Sequence, residues 1–171
     1  ARVFIFPNLF AVDGPDTAAI HAYLAEHGAA AIWLYAPGAL TGEDAAEGVS
    51  RVVRMSVGVY DKPVLPDSTF ALSGSGIPEN ELILSGDPWF PLFHIEDEEA
   101  DSIAKYAETK DSSIAVKFME EGWASVFVAA PGLTPELLRE ILEILDHPVV
   151  VRAGGPARRQ SIAMQAGYLF V

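Results

Sequence analysis

The sequence predicts an α/β fold, on three observations. Residues 2–35 run apolar, amphipathic, apolar; residues 134–145 open with a strong helix start and continue with an apolar face; and the segments between them include apolar runs of strand length closed by Gly and Pro. Arg2-Val3-Phe4-Ile5-Phe6, closed by Pro7-Asn8, reads as a strand buried on both faces. A helix follows, with Asp16 as its N-cap, Ile20, Tyr23, Leu24 and His27 on one face, and Gly28 where a C-cap glycine belongs. Ala30 to Tyr35 is a second buried strand, stopped by Pro37-Gly38 and completing a βαβ unit with a parallel crossover. Trp33 therefore belongs in the core.

From 42 to 92 the pattern weakens. Pro63, Pro66, Pro78, Pro88 and Pro91, with Ser73-Gly74-Ser75-Gly76, predict loops and edge strands, and one helix spans Glu43 to Met55. Asp97 is expected to cap a short helix carrying Ile103 and Tyr106. Ile114 to Phe118 and Ala124 to Val128 read as a hairpin around Glu120-Glu121-Gly122. Thr134-Pro135-Glu136 starts a helix with Leu137, Leu138, Ile141, Leu142 and Leu145 on its apolar face, ended by Pro148. Val149 to Val151 and Tyr168 to Val171 are further strands. Residues 33–41 and 127–134 echo one another, as two strand ends turning into helices, with no fixed period to make a repeat.

The length of 171 residues suits a single domain, and 50% hydrophobic residues supply a core. Acids outnumber Lys and Arg by 24 to 11, a formal net charge of −13, whose field repels phosphate backbones and anionic lipid; nucleic acid and membrane are not expected partners. No stretch approaches the ~20 apolar residues of a membrane helix. Cysteine is absent, which removes disulfides, thiolate metal sites and cysteine nucleophiles and leaves the compartment open.

The candidate chemistry is sparse. Trp33 to Thr41 has the strand-turn-helix pattern that presents a nucleophile on a sharp elbow, but Tyr35 and Ala36 occupy the place of Ser or Cys. Neither a methyl group nor a phenol of pKa near ~10 performs acyl transfer there, so the elbow is read as degenerate, kept for folding. Gly154-Gly155-Pro156 with Arg158 and Arg159 has phosphate-cradle chemistry, yet Pro156 removes an amide, and an ordinary turn is the simpler reading. His21 and His27 fall about 240° apart on a helix and do not converge on a metal. His94 with Glu96 and Asp97 is the one compact N/O cluster, read as a loop entering a helix cap; no metal or cofactor is expected. Trp89, Phe90 and Phe93, set among prolines, are the candidate contact for a ligand or partner domain, against the alternative of capping the core.

Residues 2–10 (Arg-Val-Phe-Ile-Phe-Pro-Asn-Leu-Phe) and 31–38 (Ala-Ile-Trp-Leu-Tyr-Ala-Pro-Gly), followed in order by Phe93-His94-Ile95-Glu96-Asp97, Ala115-Val116-Lys117, Trp123 to Phe127 and Leu137 to Ile141, resemble the β-galactosidase trimerisation domain, a relative of class I glutamine amidotransferases found in glycoside hydrolases. The resemblance implies a flavodoxin-like three-layer sandwich with a mainly parallel sheet, spanning 1–171 as one accessory domain shortened at both ends. It implies no catalytic triad. The expected role is packing against a catalytic barrel or the chain's own copies. The rival readings are a small carbohydrate- or ligand-binding module using Trp89 to Phe93, and a hydrolase or amidotransferase whose site the sequence does not reveal.

Overall fold

The computed structural model describes residues 2–41, 44–147, 163–165 and 168–170. The chain runs β1 (Val3–Phe6), α1 (Gly14–His27), β2 (Ala30–Leu34), α2 (Ala45–Val53), β3 (Val57–Val59), β4 (Ser68–Phe70), β5 (Leu82–Leu84), β6 (Phe93–Ile95), β7 (Asp101–Tyr106), β8 (Ser112–Phe118), β9 (Ala124–Val128) and α3 (Pro135–Ile144); β10 (Ala163–Gln165) and β11 (Tyr168–Phe170) then pair antiparallel. The expected strand at 149–151, the stop at Pro148 and the Gly154 to Arg159 turn lie outside the described residues.

The opening βαβ unit forms as the sequence predicts. Pro15 starts α1, Gly28 closes it in the left-handed region at φ 53°, and β1 and β2 pair in parallel from Val3↔Ala30 to Phe6↔Trp33. The cap is Asp13 rather than Asp16: the Asp13 carboxylate accepts the Asp16 amide, so Asp16 sits inside the first turn, where its charge meets the helix dipole. α2 is capped by Asp44, and α3 by Thr134 with Pro135 in its first turn.

The flavodoxin-like sandwich does not form. Nine strands make one mixed sheet, with path β1-β2-β9-β8-β7-β4-β5 and a branch β3-β6 joining β8, that curls into a half-barrel with few helices. Only β1/β2 and β2/β9 are parallel; the other pairings within this sheet are antiparallel. The cause lies in the connections. A parallel neighbour needs a crossover of a dozen residues or more, usually helical, and after α2 the chain instead reverses through short turns. The helix expected after Asp97 is strand β7, in which Ile103, Ala104 and Tyr106 are buried and Lys105 is exposed across a local register shift against β8. Asp97 accepts the amides of Ser56 and Glu99 and takes an ion pair from Lys117, so it ties a turn and caps no helix.

Two apolar layers cover the parallel part. On one face Ala31, Trp33 and Phe127 pack with Leu24 of α1 and Val49, Val52 and Val53 of α2; on the other Ile32, Val126 and Val128 pack with Leu137 and Ile141 of α3. Trp33 is fully buried, stacks on Phe6 with centroids 4.4 Å apart, and donates its indole N–H to Ser125 Oγ (2.9 Å), which donates to the Val53 carbonyl (2.6 Å). This relay ties β2, β9 and α2.

Candidate functional site at the carboxyl ends of the parallel strands

β2 and β9 lie side by side in parallel with Trp33↔Phe127 and Leu34↔Val128, so the two echoing segments are neighbours in the same register. From their ends the chain leaves to opposite faces, β2 toward α2 and β9 toward α3. In open α/β sheets, neighbouring parallel strands that diverge in this way leave a ligand site beyond their carboxyl ends; here the turn after β2 occupies that position.

Tyr35 stands at that point. Its amide donates to the Val128 carbonyl (2.8 Å) and its φ of 63° lies in the left-handed region, which a side chain enters only when neighbours enforce it. The sharp turn expected at Tyr35-Ala36 is therefore present. Gly38 (φ 76°) continues it, and α2 approaches so closely that a Cβ on Gly48 would collide with the Gly38 carbonyl. Ala36 is buried. The Tyr35 side chain packs over the strand ends: its hydroxyl donates to the Pro91 carbonyl (2.5 Å), and its ring meets Trp89 (6.0 Å, 83°), Phe93 (5.9 Å) and Phe10 (6.4 Å) edge to face. Burial raises the pKa of this hydroxyl, against an opposing pull from the Trp89 indole N–H, so it remains a protonated donor.

The structure thus gathers four of the five candidate residues, Tyr35, Ala36, Trp89 and Phe93, around one turn and separates their roles. Phe93 is fully buried core. Trp89 and Phe90 remain 44% and 58% exposed. They belong to a small ribbon: Val64 and Trp89 exchange backbone hydrogen bonds (3.2 and 2.8 Å) as an isolated antiparallel bridge, and this register sets Leu65 opposite Pro88 and Pro63 opposite Phe90. Proline has no amide to donate, so the two Pro-x-x-Pro strips, 63–66 and 88–91, are limited to one bridge. Leu65, absent from the candidates read from the sequence, is exposed on the facing strip, and the matching Pro-x-x-Pro spacing was the signal that pairs the two strips. Leu40 is also exposed, its amide bonded to the Phe10 carbonyl.

The other candidates resolve into structural roles. His94 on β6 bonds Glu96 through Nε2 (3.0 Å) and lies against the Tyr60 ring (4.6 Å), whose hydroxyl donates to Asp111 (2.6 Å) and is raised in pKa by burial and that carboxylate. The pair crosses Gly58, where a Cβ would meet both side chains. Among the described residues no three His, Asp or Glu side chains converge as metal ligands. His21 bonds the Val52 carbonyl (2.8 Å) and stacks on Trp123 (5.2 Å); His27 stacks on Tyr23 (4.1 Å). No helix among the described residues is long and apolar enough to cross a membrane. Compared with protein-family models, curated proteins and solved structures, the chain matches none.

Proposed function

We propose that this chain is a non-catalytic interaction domain, an accessory or oligomerisation unit that packs against a neighbouring catalytic domain or its own copies, as the resemblance to trimerisation domains of glycoside hydrolases implies. The observation that carries the reading is the occupied turn after β2: Tyr35 and Ala36 stand where an elbow would present Ser or Cys, Ala36 is buried, and the Tyr35 hydroxyl is engaged by the Pro91 carbonyl. Support comes from the proline-bracketed ribbon, which holds Trp89, Phe90 and Leu65 against water on a short, defined scaffold. Large aromatic groups of this kind are enriched at the centres of interfaces.

Sedimentation of the chain, alone and with the remainder of its polypeptide, tests the proposal. Association that is weakened by Trp89→Ala with Phe90→Ala is the expected result. A strictly monomeric chain that binds no neighbouring domain at high concentration overturns it. A second reading, a carbohydrate- or ligand-binding module, is favoured by the exposed Trp89 ring, 44% open to water. Saturable quenching of Trp89 by oligosaccharides, without association, would select it.

A further inference from the structure

Resting on the docking reading above, we infer that the surface covering the ribbon is a protein face that presents arginine to the Trp89 ring among apolar side chains, and is not a second copy of this chain. The first ground is the aromatic geometry. Trp89 meets Tyr35 edge to face (6.0 Å, 83°) and keeps 44% of its surface open to water. The faces of such rings carry negative quadrupole charge and attract a cation within about 6 Å. Guanidinium fits better than ammonium, because it is planar, stacks on indole and sheds water more readily.

The second ground is charge. Beside the ribbon, Asp61 and Asp87 are exposed and Lys62 alone opposes them, on a chain whose net charge is −13. Contact between two copies through one shared patch would set these carboxylates against their own symmetry mates, whereas a basic face would be attracted. The third ground is area. At about 150–250 Å² per aromatic side chain, Trp89 and Phe90 expose on the order of 200 Å², against roughly 800 Å² per partner in a standard interface. Trp89 is thus a small anchor within a contact whose remaining area is drawn from the acidic surface around it.

The test uses the full chain and two peptides of equal length, one alternating arginine with leucine and the other citrulline with leucine. Each is titrated while the Trp89 indole N–H resonance is followed by NMR. The arginine peptide should shift that resonance saturably, with binding that weakens several-fold from low to high salt. Citrulline, the neutral isostere, should bind about tenfold more weakly, and Trp89→Ala should reduce the difference between the two peptides to the part that high salt removes. Equal binding of both peptides, or an unmoved Trp89 resonance, overturns the arginine assignment. Self-association through Trp89 that strengthens as salt rises also overturns it, in favour of a second copy, while leaving the docking reading intact. If Trp89→Ala with Phe90→Ala changes no association of any kind, the docking reading itself falls.

Discussion

Replacing Trp33 by alanine should cost about 3–5 kcal/mol, the range for deleting a large aromatic from a packed core. The structure supplies the terms. Trp33 is fully buried between β1 and β9, so the substitution returns most of ~200 Å² of contact to a cavity, which at ~25 cal/mol per Å² is about 5 kcal/mol before any collapse. Its indole N–H also satisfies Ser125 Oγ, but Ser125 keeps its own bond to the Val53 carbonyl, so the polar loss is a single hydrogen bond of about 1 kcal/mol. Trp33→Phe keeps much of the ring and loses that bond, and should fall well below the alanine value. Denaturant unfolding followed by near-ultraviolet circular dichroism measures both. A double-mutant cycle that combines Trp33→Phe with Ser125→Ala should return a coupling of about 1 kcal/mol, because either substitution alone already removes the bond between them. If Trp33→Ala changed stability by less than ~1 kcal/mol while abolishing partner or ligand binding, the residue would be a site and the packing argument would fail.

Three further outcomes are expected. Partial burial pushes the Asp97 carboxyl up, but Lys117 and the amides of Ser56 and Glu99 outweigh it and hold its pKa below the ordinary range. Its contribution is therefore present above the unfolded carboxylate pKa and lost as pH falls through the folded one; Lys117→Met should remove about 1.5–3 kcal/mol at neutral pH and flatten the acid limb of a stability curve, and an unchanged limb would refute the assignment. Burial lowers the His21 pKa, with the Val52 carbonyl opposing. The unfolded chain therefore takes up the proton first, stability drops as pH falls through ~6.5, and the slope of denaturation midpoint against pH should shrink in His21→Phe; a slope that persists unaltered assigns the effect elsewhere. Tyr35→Phe removes the bond to the Pro91 carbonyl and should cost about 1 kcal/mol and increase hydrogen exchange at the Val64 and Trp89 amides, whereas exchange as slow as in the wild type would mean that Tyr35 does not anchor the ribbon.

Much of the local structure was legible in the chain, and for local reasons. The βαβ unit, the β8/β9 hairpin and α3 rest on apolar periodicity, capping side chains and turn residues that act within a few positions, and these formed where they were expected. The turn at Tyr35-Ala36 was legible in the same way, because a strand closed by Pro37-Gly38 leaves few backbone solutions. Strand direction was not. Whether a neighbour pairs parallel or antiparallel depends on which edge a returning strand finds, and the short strands β3 to β6 carry too few residues to state that in their own pattern. Asp97 shows the same limit: an acid before a polar run reads as a helix cap, and only Lys117, twenty positions away on β8, turned it into a tie between strands.

By itself, then, the sequence determined which segments are buried, where the chain turns, that no thiol chemistry is available and that the surface is strongly acidic, because composition and short-range sterics suffice for each. Tertiary structure decided that the sheet is mixed and curled, that β2 and β9 meet with their exits on opposite faces, and that Tyr35 bonds the Pro91 carbonyl beyond their ends while Trp89 and Phe90 stay in water. Those features join residues tens of positions apart, and the competition among long-range pairings that selects them is settled by the packing of the whole chain.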